Sequence, residues 1–558
     1  MSKNLPFPRV CALAAALLII GIHAAPATET APSLTTLDRK VPDWLTKAVF
    51  YQIYPQSFYD SNGDGIGDLP GITSKLDYIK SLGVTAVWLN PIYDSPFGDA
   101  GYDVRDYLKI APRYGTNEDA KKLFQEAHRR GIRVVLDLVA GHTSREHAWF
   151  KDSSASASGK HADWYIWSDD PKWVKSPGAR AGFYYKNYFD FQPALNYGFA
   201  HPDPLKPWEK PSDSRECTEV REEMRAIMRY WLDLGCDGFR VDMASSLIKG
   251  DNKDDELRAL WQNYRSWLNE HYPQAVLISE WSEPSQAIPD GFDVDFLIHF
   301  HNPAYRYLLQ PMLQSNAPNT SFFSTNGAGN IKAFTDQFVP QYERTKNLGF
   351  ISLPTGNHDF SRPRFMGREI PDLKVVYSML LTMPGVPFIY YGDEIGMRNL
   401  KGWPDKEGAV WRGSCRSPMQ WSPDPKAGFS TADTNSFYLP LDPDPRRPNV
   451  ATEETDPDSL LNFVRTLINL RSKELSLGNL GGFSVLYAEA NKYPFVYLRS
   501  GGPDDFVVAL NPGNQAVSWS DPRMVDARTE ISRNATLKGQ KISLGPASFG
   551  IYRLLKTP

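Results

Sequence analysis

The chain has 558 residues, with 61 basic and 65 acidic side chains and a formal charge of −4. Hydrophobic residues make up 41% and charged residues 23%, which suits a folded globular protein and excludes collagen-like or low-complexity disorder. Without a basic excess, a strongly electropositive nucleic-acid binder is excluded too.

Residues 1–27 carry Lys3 and Arg9 and no acid; an apolar run over 10–22 and the small residues Ala25-Pro26-Ala27 complete them. The run is shorter than the roughly 20 residues that span a bilayer. It reads as a secretory signal peptide, placing the mature protein outside the cell or in the periplasm. An uncleaved anchor and a lipoprotein signal are the alternatives. No later segment reads as transmembrane. Beyond Cys11, only Cys217, Cys236 and Cys415 remain, too few for a disulfide framework. Oligomeric state is left open.

Residues 48–55 (AVFYQIYP) predict a first buried strand. Asp60-Ser61-Asn62-Gly63-Asp64-Gly65-Ile66-Gly67-Asp68 then sets side-chain oxygens at alternate positions, with Gly65 at the sharp turn. That is the spacing of a Ca²⁺ loop, although Gly71 at the twelfth position excludes an EF-hand. A turn of Asp, Asn and Gly without an ion is the alternative.

A helix follows over 72–82, then a strand over 84–90 (VTAVWLN), a helix over 117–130 capped by Asn117, and a strand over 132–139 (IRVVLDLV). Residues 142–216 break the rhythm, with much Trp, Tyr, Ser, Pro and Asp and no long periodic segment. Helices over 219–234, 256–271, 331–344, 372–382 and 458–473 then accompany strands over 237–242, 275–280, 292–297, 349–354 and 386–391. Eight nearly continuous apolar strands among amphipathic helices predict an α/β protein with a parallel sheet buried on both faces. Eight such units predict a closed (β/α)₈ TIM barrel over 42–141 and 217–477, with 142–216 inserted as a domain after strand 3. Residues 478–558 change to short alternating strands (495–499, 506–509, 549–554), a C-terminal antiparallel β-sandwich domain. An open doubly wound sheet is the alternative, but no Gly-rich phosphate loop follows the first strand.

Barrel chemistry gathers where the strands end. Asp103 follows the second strand, Asp137 and His142 the third, Arg240 and Asp242 the fourth, Glu280 the fifth, and His358 and Asp359 the seventh. Any one of these alone reads as a cap or a salt bridge, and Asp137 reads as a tie between its loop and the barrel. Together they point to metal binding or acid/base work, because crowded carboxylates raise one another's pKa and cost stability. Arg240 projects from the same strand face as Asp242 and can hold it ionised. Glu280 ends an apolar strand beside Trp281, a setting that keeps a carboxyl protonated. One charged and one protonated carboxyl, about 5–5.5 Å apart, is the arrangement of a retaining glycosidase.

Five motifs carry a resemblance: DLVAGHTS (137–144), GFRVDM (238–243), ISE (278–280), TGNHD (355–359) and GVPFIYYGDE (385–394). With them the chain resembles the α-amylase family of glycoside hydrolases, in its α-glucosidase and oligo-1,6-glucosidase branch, over about residues 42–557. The resemblance implies Asp242 as nucleophile, Glu280 as general acid/base and Asp359 as transition-state stabiliser. It implies His142, Arg240 and His358 as contacts to sugar hydroxyls or to these carboxylates. GYD (101–103) resembles the α-glucosidase form, with Tyr102 in the substrate site and Asp103 on the non-reducing 4-hydroxyl. Arg416 of CRSPMQW (415–421) is the implied partner of Asp103 across the pocket, which would make the enzyme exo-acting. QPALN (192–196), apart from Ala194, and AGFST (427–431) also fit this branch. The early loop resembles the branch's metal loop: Asp60, Asn62, Asp64 and Asp68 would ligate a structural Ca²⁺ through side chains and Ile66 through its carbonyl. No organic cofactor is implied.

Three departures stand out. Gly141 replaces the Asn that usually precedes the His and ligates calcium in many α-amylases. Met243 after Asp242 leaves the linkage open. Phe360-Ser361-Arg362-Pro363-Arg364 carries two arginines that would favour sucrose isomerisation or transfer if they face an acceptor; a solvated loop charge is the alternative. The expected activity is that of a secreted, retaining exo-α-glucosidase acting on short α-glucosides. Its rivals are a sucrose isomerase or transglucosidase on the same site, an endo-acting α-amylase, and a non-catalytic carbohydrate-binding ectodomain.

Overall fold

Eight short parallel strands form the centre of the molecule: β1 Phe50–Ile53, β2 Ala86–Leu89, β3 Arg133–Leu138, β4 Gly238–Val241, β5 Val276–Ser279, β6 Val294–Phe296, β7 Phe350–Ser352 and β8 Phe388–Tyr390. The computed structural model describes residues 31–555 apart from 254, 299–300, 310–320, 326–328, 401 and 411, so the expected signal peptide lies outside the described residues. Every strand residue except Arg133 is buried, which is why these strands read as unbroken apolar runs. They pair in the order β7-β6-β5-β4-β3-β2-β1-β8. The remaining seam carries single backbone bonds instead of a ladder: Val386 N–H donates to Ile351 O at 3.1 Å and Thr355 N–H to Phe388 O at 2.9 Å. The sheet therefore closes. Ring centroids of Trp88, Phe296 and Phe388, from β2, β6 and β8, lie 5.5 Å (Trp88–Phe296) and 4.7 Å (Phe296–Phe388) apart across its interior. Only a closed barrel brings those strands face to face.

The helices form largely as the sequence predicts, with boundaries set by capping. Helix Asn117–Arg129 starts one residue early, because Thr116 is the cap and exchanges hydrogen bonds with Asp119. Asn117 instead donates to Leu108 O at 2.8 Å and to Tyr230 Oη at 2.7 Å. Helix Arg215–Leu234 is capped by Ser214 and stops at Gly235, which takes φ 120°. The helix expected over 72–82 is two pieces, Leu69–Ser74 and Leu76–Ser81, broken at Lys75.

Between β3 and β4 the chain makes an excursion with one helix, Ala148–Ala155, and a sheet of three two-residue strands, Trp167–Ser168, Val174–Lys175 and Phe183–Tyr184. The helix escaped the sequence reading because its Asp and Ser residues give it no apolar stripe. The excursion returns to the barrel mouth through an isolated bridge between His142 and Ala194.

The C-terminal sheet has six antiparallel strands: β9 Gly482–Tyr487, β10 Phe495–Ser500, β11 Asp505–Asn511, β12 Val517–Ser520, β13 Arg528–Lys538 and β14 Lys541–Leu554. β14 pairs with β11, β12 and β13. β12 and β13 were not expected, since neither has a single fully buried residue and both read as polar text. One face packs on the barrel through Phe483 against Phe338 and Tyr342. Cys217, Cys236 and Cys415 are buried and unbridged. Among the described residues no helix is long and apolar enough to cross a membrane.

Candidate active site

Strand register brings the expected acids together. Asp137 and Arg240 are direct partners across β3 and β4, and Val241 partners Ser279 across β4 and β5. Asp242 and Glu280 therefore leave neighbouring strands at the same level. Their backbones are still held there: Asp242 N–H donates to Leu138 O at 3.0 Å and Glu280 N–H to Val241 O at 3.1 Å. Adjacent strands lie about 4.7–4.9 Å apart, which suits the roughly 5–5.5 Å of a retaining carboxyl pair. Each of the two keeps 8% of its surface exposed, so the pair is buried but not fully enclosed.

One buried guanidinium serves three carboxylates. Arg240 donates through Nη1 to Asp137 Oδ1 at 2.9 Å and to Asp242 Oδ1 at 3.1 Å, and its Nη2 pairs with Glu280 Oε2 at 2.9 Å. Burial pushes Asp242 up to about 7 and Glu280 up to about 8, with Arg240 pulling both down. Arg240 thus favours the ionised form of Asp242, against the burial that disfavours it. One cation shared by three acids does not offset the loss of water around each.

Asp359 behaves oppositely. Arg412 Nη1 donates to its Oδ1 at 2.8 Å, Arg416 Nη2 to the same oxygen at 3.2 Å, and His358 Nε2 lies 3.1 Å from Oδ2. Burial works against ionisation, but these three partners hold the carboxyl well below the usual range. Asn357 accepts from Asp359 N–H at 2.7 Å and turns the loop after β7 so that the acid faces the mouth.

Tyr102 is the hub beneath. Its hydroxyl donates to Asp137 Oδ2 at 2.9 Å, accepts from Asn90 Nδ2 at 2.9 Å and lies 2.8 Å from His358 Nε2, and its ring stacks on His358 at 5.4 Å. Gln52 Nε2 reaches His358 Nδ1 at 3.0 Å. An amide NH₂ only donates, so Nδ1 accepts and Nε2 carries the proton. His142 is buried with both nitrogens engaged: Nε2 lies 2.9 Å from Tyr102 O and Nδ1 lies 2.9 Å from Asn187 Nδ2. Burial lowers its pKa to about 4, so the ring is neutral.

The expected Asp103–Arg416 partnership does not form. Asp103 is turned toward its own loop, accepting from Gly98 N–H at 2.8 Å, Asp99 N–H at 3.0 Å and Ser95 Oγ at 3.0 Å. Arg416 is spent on His358 O at 2.7 Å and on Asp359. The pair that stands across the mouth is Asp99 with Arg412, at 3.1 Å, and Gln192 Nε2 holds the other Asp99 oxygen at 2.9 Å. Sequence reading missed both residues because neither lies at a strand end, although each sits four positions before the residue chosen in its place. A third omission is Asp295 on β6, which accepts from Ser279 Oγ at 2.6 Å, Trp281 N–H at 3.2 Å and Glu283 N–H at 2.9 Å and so moulds the turn after Glu280.

Arg362 and Arg364 are neither acceptor contacts nor a solvated pair. Arg362 is fully buried on Asp393 at 2.9 Å and on Tyr391 O at 2.6 Å. Arg364 pairs with Glu369 and donates to Gly396 O at 3.2 Å.

The Asp60–Asp68 loop is a nest of side chain-to-amide bonds. Asp60 accepts from Gly63 and Gly65 N–H, each at 2.7 Å, Asn62 from Asp64 N–H at 2.9 Å, Asp64 from Ile66 N–H at 2.8 Å, and Asp68 from Ser61 N–H at 2.9 Å and Gly71 N–H at 2.6 Å. Gly65 takes φ 92°, and a Cβ there would meet Ser436 O at 2.1 Å. The all-oxygen donor set has the chemistry a hard cation takes. Among the described residues no three His, Cys, Asp or Glu side chains converge as they would around an ion.

The comparisons with known proteins agree with this geometry. The family described as "Alpha amylase, catalytic domain" matches residues 52–479. The trehalose synthase/amylase TreS of Mycolicibacterium smegmatis is 34% identical over 528 residues, covering 84% of this chain and 84% of that protein. An oligo-1,6-glucosidase of Heyndrickxia coagulans is 32% identical, covering 86% of this chain and 94% of that protein. Among solved structures, an isomaltulose synthase mutant of Erwinia rhapontici in complex with D-glucose superposes with a TM-score of 0.77 at 26% identity, covering 93% of this chain and all of that one.

Proposed function

Because the chain belongs to the α-amylase family of glycoside hydrolases and is α-glucosidase-like, we propose that it is a retaining exo-α-glucosidase that releases terminal α-linked glucose from short oligosaccharides or disaccharides. The observation that carries this reading is the Arg240 guanidinium held between Asp242 and Glu280 at 3.1 and 2.9 Å, with Asp359 facing them. Asp242 attacks the anomeric carbon as the bond to the leaving oxygen breaks, and Glu280 gives that oxygen its proton. A β-glucosyl-enzyme results. Glu280, now a carboxylate, takes a proton from water, the water oxygen attacks the same carbon, and Asp242 is released. Asp359, kept ionised, stabilises the oxocarbenium-like state. Tyr102, His142 and His358 form the floor and wall of the glucose site. Asp99 and Arg412, in place of Asp103 and Arg416, close it beyond one sugar.

Transfer is the second reading. It is favoured by the trehalose synthase and isomaltulose synthase likenesses, in which the glucosyl group would go to a sugar hydroxyl instead of water. Arg362 and Arg364 lend it no support. Incubation with maltose, isomaltose, sucrose, trehalose and starch, with products separated by chromatography, tests both. Glucose as the main new product supports hydrolysis, and rearranged disaccharides support transfer. We also propose that residues 1–27 export the chain, and that the Asp60–Asp68 loop takes a structural Ca²⁺ through Asp60, Asn62, Asp64, Asp68 and the carbonyl of Ile66.

A further inference from the structure

Asn187 comes from the excursion between β3 and β4, yet its amide reaches the barrel mouth. Its Nδ2 lies 2.9 Å from His142 Nδ1 and 3.6 Å from Met243 Sδ. It thus touches both the histidine that walls the glucose site and the residue that follows Asp242. Asn187 is itself fixed, since its N–H donates to Gln192 O at 2.9 Å. Gln192 in turn holds Asp99.

The space that the amide fills exists because residue 141 is glycine. A Cβ built on Gly141 would stand 3.0 Å from Asn187 Nδ2 and 3.3 Å from Leu247 Cδ2. A Cβ at 141 would crowd the Asn187 amide, which would have to give by a few tenths of an ångström.

The tautomer of His142 follows. The carbonyl of Tyr102 can only accept, so Nε2 of His142 carries the proton. In the neutral ring Nδ1 is then a lone-pair acceptor, buried and in need of a donor. Asn187 supplies that donor.

We propose that Asn187 is a positioning residue, that its amide fixes His142 in the Nε2–H form and seats Met243 beside Asp242, and that Gly141 is the vacancy that admits it. The proposal deepens the glucosidase reading and rests on it for any effect on turnover. The protonation of His142 is a separate readout that needs no substrate.

Two experiments test it. The first labels the full-length protein with ¹⁵N at its ten histidines and assigns His142 by its loss in a His142→Asn variant. The expected wild-type signal is an unprotonated Nδ1 and a protonated Nε2. Asn187→Asp keeps the shape but removes the donor, so Nδ1 should gain a proton at neutral pH. A protonated Nδ1 in the wild type, or an unchanged ring in Asn187→Asp, overturns the proposal. A purely architectural Asn187 would move melting temperature and leave the ring signals alone.

The second is a cycle of Asn187→Gly, Gly141→Asn and the double variant, assayed on maltose. Each single change should lower kcat/KM about tenfold, the effect of one partly buried hydrogen bond lost or displaced. The double variant moves the amide from one element to the other and should recover most of that loss. A single Asn187→Gly variant as active as the wild type, or a double variant no better than the worse single, overturns the proposal. If no glucoside is turned over, the glucosidase reading fails while the imidazole experiment still decides the role of Asn187.

Discussion

The backbone N–H of Met243 donates to Glu280 Oε2 at 3.1 Å. The two candidate reacting carboxyls are thereby linked through the residue that follows Asp242. Met243 reaches that geometry by taking φ 47° and ψ 43°, a left-handed conformation that costs a non-glycine residue about 1–2 kcal/mol. The strained turn aims an N–H at Glu280 and sends the side chain to Asn187. Spacing between the acids is therefore set by backbone on both sides, with Arg240 between them.

The pH dependence follows from the two carboxyls. Turnover needs Asp242 ionised and Glu280 protonated. Burial places Asp242 at about 7 and Glu280 at about 8, so kcat/KM should be bell-shaped, falling below about 7 and above about 8, with both limbs belonging to the coupled pair. Initial rates on maltose across pH 5–10 check this. Since Arg240 pulls both values down, Arg240→Lys, with its weaker fork, should move the acid limb upward.

Stability should run against activity at Asp242. Both carboxyls have folded pKa values raised above their unfolded ones of 3.8 and 4.5. Their stabilising contribution is complete below about pH 4 and is lost as pH rises through about 7 to 8. Asp242→Asn removes one such group. It should abolish turnover while raising the melting temperature at pH 8 by roughly 1–2 °C, with no gain at pH 4. A lower melting temperature at pH 8 would mean that Arg240 holds Asp242 as a net stabilising carboxylate.

Asp99 and Arg412 should govern where the substrate chain ends. Arg412→Ala removes charge-assisted bonds to both Asp99 and Asp359. At about 1.5–3 kcal/mol for such a bond, kcat/KM on maltose should drop about 100-fold. Starch viscosity should then fall faster per reducing end released than with the parent enzyme. Asp103→Asn should not shift that ratio, because Asp103 faces its own loop.

Calcium removal tests the Asp60–Asp68 loop. The loop fastens to the 427–438 segment through Asp60 N–H to Phe429 O at 3.0 Å and Tyr438 N–H to Gly65 O at 2.9 Å. An ion bound there holds both segments. A chelator should lower the melting temperature by a few degrees and added Ca²⁺ should restore it. An unchanged melting curve in chelator would identify the loop as an ion-free turn.

Legibility in the sequence followed burial. The eight barrel strands were readable because both faces are covered, and Asp242, Glu280 and Asp359 were readable because strand ends are where a barrel exposes chemistry. β13 was unreadable for the opposite reason, since its residues alternate between exposed and half-exposed. Asp99 and Arg412 were missed because they lie away from the strand ends, and only folding brings residues 313 positions apart to 3.1 Å. Asp103 and Arg416 carried the motifs, yet the Asp103 side chain serves its own loop and that of Arg416 serves His358 and Asp359. Gly141 was legible as an oddity; its use became visible only once Asn187 was seen in the space above it.

The most direct measurement is intact and peptide mass spectrometry of the Glu280→Gln variant after brief exposure to α-glucosyl fluoride. The fluoride leaves without acid help, so the first step proceeds while the weakened base slows hydrolysis. The account predicts one added glucosyl unit, carried on the peptide containing Asp242. A protein that stays unmodified while still releasing fluoride, or a glucosyl unit on any other residue, would contradict it.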